Sequence, residues 1–173
     1  PEKLKIYARS FGWELEKLQE NKKLHFLKIP IDQSGYNLVR AIGDKANKIK
    51  AKRIVIDSLS AYTSLFEKES DQRKMLVNLF TMIEDWDATT VVIAEENPSI
   101  EQYHSSVMGF MADSIIYLYN IIKDNKLMIR AMQIAKMRGT KHSLNIFPII
   151  IGDNGMGVYP DQDIYEDVSN IRR

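Results

Sequence analysis

The chain has 173 residues, 24 Lys and Arg against 23 Asp and Glu, a net charge of +1, 45% hydrophobic residues and no cysteine. That length supports one domain with a real core and is short for two, so residues 1–173 are expected to form a single domain. The near-neutral balance gives no global basic field for nucleic acid, and the missing thiol excludes disulfides, thiolate zinc sites and a cysteine nucleophile.

PEKLKIYARSFG opens the chain as a helix, with Pro1 tolerated in the first turn and Leu4, Ala8 and Phe11 on one face; Gly12 stops it. Its charged, amphipathic character is unlike a signal peptide, and no apolar run approaches a membrane span; the absence of cysteine fits a cytoplasmic protein. WELEKLQENKK is a second short helical or irregular stretch, and LHFLKIP (24–30) is expected as a strand burying Leu24, Phe26 and Leu27. After the turn signal DQSG, residues 36–50 carry Leu38, Ile42, Ala46 and Ile49 at helical spacing. RIVID (53–57) is a short continuous apolar strand, the type buried on both faces of a parallel sheet. A Ser- and Ala-rich helical stretch follows. A long helix over 71–87 then turns Met75, Leu79, Met82, Ile83 and Trp86 inward, and TTVVIA (89–94) is a second buried strand at the distance a βαβ crossover needs.

Beyond a loop and a short helix near 106–111, the pattern changes. SIIYLYNIIKDNKLMIRAMQIAKMR reads as two strands around Asp124 and Asn125, and NIFPIII with MGVYP as a second hairpin around GDNG. The closing DQDIYEDVSNIRR reads as peripheral. The first half alternates β and α and the second is antiparallel, so the fold class is α/β with a mixed sheet: parallel core strands, flanking helices and C-terminal antiparallel hairpins.

In open α/β sheets, ligands bind at the carboxyl ends of the parallel strands. Asp57-Ser58 and Glu95-Glu96 occupy two such ends. A carboxylate there suits a hydrated magnesium ion, and equally suits the N-cap of the next helix; the segment alone leaves both open. Glu95 or Glu96 could orient a water, though Asn97-Pro98 is also a natural helix or turn start. In IAKMRGTKHS, Lys136 and Arg138 are two apart on a strand and share a face beside Gly139, as in a phosphate clamp or in a charged edge strand that resists aggregation. His25, His104 and His142 have no metal-ligand spacing, and His25 is expected to be structural. Tyr117 and Tyr119, at strand spacing, are assigned to packing rather than base stacking.

RIVIDSLSAY, then KMRGTKHS and PIIIGDNGMGVYP, together with PEKLKIYARSFGWELEKL and FMADSIIYL, resemble the KaiC-like branch of the RecA superfamily of ATPases across nearly the whole chain. The resemblance implies a RecA-like sheet and an ATP hydrolase. Asp57 corresponds to the Walker B aspartate that organises the Mg2+ of bound ATP, with Ser58 beside it. Lys136 and Arg138 correspond to the pair that reaches the γ-phosphate of a nucleotide on the neighbouring subunit, and His142 and Asp153 to contacts with the nucleoside portion. It also implies self-assembly, commonly as a hexameric ring, with a signalling or regulatory output.

The 173 residues contain no G-x-x-x-x-G-K-[ST], and PEKLKIYAR matches the helix that follows the catalytic glutamate in relatives. The expectation is therefore a domain lacking, in these residues, the phosphate loop, that glutamate and a central sheet strand. Such a chain is expected to be inactive alone and to need an upstream segment or a partner strand. The alternative is a non-catalytic oligomerisation or regulatory module that keeps the fold; a recombinase-like DNA-binding protein ranks last because no basic loop with aromatics is evident.

Overall fold

The computed structural model describes residues 1–29, 35–95, 107–123, 127–162 and 164. In chain order the elements are α1 (Glu2–Ser10), α2 (Leu15–Glu20), α3 (Gly35–Ile49), β1 (Arg53–Asp57), α4 (Leu59–Thr63), α5 (Glu69–Glu84), β2 (Thr89–Ile93) and α6 (Val107–Met111). β3 (Ser114–Lys123), β4 (Leu127–Met137), β5 (Ile146–Gly152) and β6 (Gly155–Val158) complete the chain. The result is the expected mixed α/β fold, with a parallel pair β1–β2 and an antiparallel sheet in the order β3-β4-β5-β6. The chain divides into two compact units, 27–112 and 1–26 with 113–173.

The unit of residues 27–112 is built on the β1–β2 pair, registered from Arg53 opposite Thr89 to Asp57 opposite Ile93. Side chains alternate across a strand. Ile54, Ile56 and Val92 therefore pack against one cluster of Val39, Leu59, Tyr62, Met75, Leu76, Leu79 and Trp86, drawn from α3, α4, α5 and the turn after α5. Glu69 and Asp71 lie in the first turn of α5, where the helix dipole favours negative charge. The opposite face of the pair is open: Val55 is 65% exposed, and Val91 and Ile93 are exposed beside it. This corrects the expectation that both strands are buried on both faces. Helices of this unit cover one side of the pair, and none of the unit's own described residues covers the other.

In the other unit, α1 carries Glu2 in its first turn and Arg9 in its last, and it ends at Gly12, whose φ of +75° an L side chain rarely adopts. Ala8 is buried as expected, whereas Leu4 is exposed. Residues 24–29 form no strand and Leu27 is exposed, which corrects two expectations; His25 is exposed as well. The reason is local. The N–H groups of Lys23 and Leu24 both donate to the carbonyl of Leu18, closing α2, so this stretch begins as a helix terminus with its donors already engaged.

β3 and β4 form the long hairpin anticipated from the sequence; its connection at 124–126 lies outside the described residues. Tyr119, Ala131 and Ile164 are buried together, with Tyr117, Ile121 and Ile146 packed around them. Tyr119 Oη donates to Gln133 Oε1 at 2.8 Å, and the Tyr117 and Tyr119 rings lie 5.9 Å apart, so both residues serve packing as expected. The burial of Ile164 corrects the reading of the whole C-terminal stretch as peripheral; 165–173 lie outside the described residues. β5 and β6 close around a turn that pairs Gly152 with Gly155.

One irregularity could not be read from spacing. Ile116 pairs with Ile134, but Ile115 pairs with Lys136 and Ser114 with Met137. Ala135 is thus an extra residue in β4, a β-bulge that shifts the register by one.

Candidate functional site

Asp57 is the last residue of β1 and is exposed, and its peptide bond to Ser58 is cis. The N-cap position of α4 falls on Ser58 in extended conformation (φ −124°, ψ 154°), and no side chain makes a capping hydrogen bond there. The carboxylate of Asp57 is therefore not engaged as a helix cap. Among the described residues it has no hydrogen bond or ion pair. It stands at the carboxyl end of a parallel strand, where such sheets take ligands.

Ser60 ties the two strand ends together: its Oγ accepts the backbone N–H of Glu95 at 2.7 Å, linking α4 to the end of β2. Sequence reasoning did not single this residue out. Glu95 is exposed, and Glu96 to Pro98 lie outside the described residues, as does His104. Among the described residues no three His, Asp or Glu side chains gather as a metal cage. Asp57 with waters is a donor set that fits Mg2+, which keeps several waters and takes one or two carboxylates plus phosphate oxygens.

The other candidates belong to the second unit. Lys136, half-buried, stands opposite Ile115, and Arg138 follows the end of β4 on the same face. Arg138 is held twice by Asp113. Its backbone N–H donates to the Asp113 carbonyl at 2.9 Å, and its Nη1 donates to Oδ1 at 3.1 Å. Gly139 turns the chain immediately after, at φ +66°. His142 Nδ1–H donates to the carbonyl of Thr140 at 3.0 Å, and Nε2 is buried without a partner among the described residues. Asp153 is exposed in the β5–β6 turn. Asp57 and Ser58 thus lie in one unit, and Lys136, Arg138, His142 and Asp153 in the other.

Asp113 and the bulge at Ala135 were missed from sequence. The Asp stands before the apolar run SIIYLY and looks like an ordinary boundary residue until hairpin register is counted with the extra residue in β4.

The family model for the ATPase KaiC matches residues 1–163. The circadian clock oscillator protein KaiC of Synechococcus elongatus is 31% identical over 166 residues, covering 88% of this chain and 31% of that protein. The protein of the same name from Parathermosynechococcus lividus is 30% identical over 179 residues, covering 95% of this chain and 32% of that protein. The chain thus spans about a third of the length of the curated relatives it matches. Among solved structures, a KaiC-like protein from the hyperthermophilic archaeon Pyrococcus horikoshii superposes with a TM-score of 0.78 at 32% identity, covering 92% of this chain and 71% of that one. No described helix is long and apolar enough to cross a membrane. The fold and these matches agree, and the chain belongs to the KaiC family of ATPases.

Proposed function

We propose that the protein binds and hydrolyses ATP at interfaces between its own subunits, as a ring of identical chains, and passes the state of that site to a regulatory output. The observation that carries this reading is Asp57: an exposed carboxylate at the carboxyl end of β1, not engaged as a cap. Asp57 would hold Mg2+ through water, with Ser58 beside it, and the ion would neutralise charge on the nucleotide's phosphates. Lys136 and Arg138 offer a point charge and a planar fork on one face, the pairing suited to a phosphate bound by the neighbouring subunit. His142, its ring held by the Thr140 carbonyl, and the exposed carboxylate of Asp153 would stand toward the nucleoside.

Subunit mixing tests the reading in the protein expressed from its complete reading frame. Asp57→Ala and Arg138→Ala are each expected to lower ATP turnover by about 100-fold or more. Mixing the two inactive variants restores part of the activity, because some interfaces then combine an intact Asp57 with an intact Arg138. Turnover that survives both substitutions refutes the proposal.

The open apolar face of Val55, Val91 and Ile93 favours a second reading, a non-catalytic assembly module. It predicts assembly without nucleotide, unchanged in Lys136→Ala and Arg138→Ala.

A further inference from the structure

The geometry points to Asp113 as the residue that positions Arg138, through a register set by the bulge at Ala135; this rests on the ATPase reading above and adds a component to it. Residues directly opposite in an antiparallel pair share a face. Without the bulge, the pairing of Ile116 with Ile134 would continue to Ile115 with Ala135 and Ser114 with Lys136, and Asp113 would face Met137. The extra residue changes this. Ser114 faces Met137, and one step beyond it Arg138 stands against Asp113, bonded through both backbone and side chain.

The bulge also redirects Lys136. Gln133 pairs with Tyr117, and Lys136 pairs with Ile115, so the two share a face of the sheet although they are three residues apart. An unbroken strand would put them on opposite faces. Re-aiming side chains in this way is what bulges do at the ends of strands.

The Asp113–Arg138 pair is open to solvent, with side-chain exposures of 84% and 52%. An exposed ion pair adds little to stability. Its effect is on geometry. The backbone bond fixes where the Arg138 main chain leaves β4, and the carboxylate holds one arm of the guanidinium at 3.1 Å. A guanidinium that must meet a phosphate on another subunit gains rate from being oriented beforehand, since small misplacements are costly.

The test measures steady-state ATP hydrolysis and melting temperature in the protein from its complete reading frame, for Asp113→Asn, Asp113→Ala, Arg138→Ala and the Asp113→Ala/Arg138→Ala double variant. Asp113→Ala is expected to lower kcat by about 10-fold with KM unchanged, because orientation rather than binding is lost. Asp113→Asn, which keeps an acceptor oxygen, recovers part of the loss. The double variant is no slower than Arg138→Ala alone, and the melting temperatures stay together. Removal of Ala135 gives the same kcat defect as Arg138→Ala where the variant folds; the point variants decide the matter where it does not.

If Arg138→Ala is slow and Asp113→Ala is normal, the positioning role is refuted and the ATPase reading stands. If Arg138→Ala is itself normal, the trans-acting assignment falls and the positioning role with it. Equal losses in kcat and melting temperature for Asp113→Ala, unrelieved by Asn, make Asp113 a fold residue and also refute the inference.

Discussion

Gly43 lies inside α3, where replacing Gly with Ala in a solvent-facing helix stabilises by about 1 kcal/mol. Here the opposite sign is expected. A Cβ built at Gly43 meets Trp86 Nε1 at 2.8 Å, closer than Cβ atoms approach other groups, and Cε2 at 3.4 Å. Trp86 is buried in the cluster with Leu79, Met75 and Tyr62, so its indole is no flexible chain end that can swing aside. Overpacking of this kind costs about 1–3 kcal/mol. Set against the helix gain of about 1 kcal/mol, Gly43→Ala loses about 1 kcal/mol net, which lowers Tm by roughly 2–4 °C in a chain of this size. Thermal unfolding followed by circular dichroism measures it, with the same substitution repeated in a Trp86→Phe background. There the nearest contact is gone, and Gly43→Ala becomes neutral or stabilising, a non-additivity that marks direct coupling. A Gly43→Ala protein as stable as its parent would refute the argument that close packing outweighs helix propensity.

Leu79 is 1% exposed at the centre of the same cluster, so Leu79→Ala should cost about 2–5 kcal/mol, read from urea midpoints. The Lys52 ammonium beside Asp87, first by hydrogen bond and then by charge, holds that carboxyl below its ordinary value of 3.8. Because the folded value is the lower one, the pair's contribution is present above the ordinary value and fades as the pH falls through the folded one. Lys52→Met is therefore expected to be slightly less stable than the parent at pH 7, with the difference closing in acid; a gap that widens below pH 4 would contradict the assignment. Gly139, at φ +66° with open space around it, should cost about 1 kcal/mol on replacement by Ala through backbone strain alone, seen as a lower urea midpoint.

What the sequence made legible was whatever depends on near neighbours in the chain. Apolar spacing located α3 and α5, continuous β-branched runs located β1 and β2, and the GDNG signal located the turn between β5 and β6. Burial followed less well, because it depends on the opposite layer: Val55 and Ile54 look alike in RIVID, yet one is exposed and the other packs on α5's cluster. Residues 24–29 alternate like a strand, but a strand needs a partner, and the neighbouring Lys23 and Leu24 donors end α2 instead. At the candidate site, residue type was informative and pairing was not. Lys136 and Arg138 were visible as cations on one face; Asp113 as their neighbour depends on a single extra residue, a register effect that composition does not encode.

The order in which the sheets can assemble follows from their connectivity. β3 and β4 are consecutive in the chain and pair along their full length, so they can zip on the microsecond scale typical of hairpins. β1 and β2 cannot pair until α4 and α5 have been laid between them, since Arg53 must find Thr89 across the whole crossover. Closing that loop before any contact rewards it makes parallel pairing the slower event. During that interval Val55, Val91 and Ile93 are exposed on strands that are not yet paired, which leaves this segment open to association with other chains during synthesis. Pulse-labelled hydrogen exchange during refolding would resolve the two stages, with amides of β3 and β4 protected before those of β1 and β2.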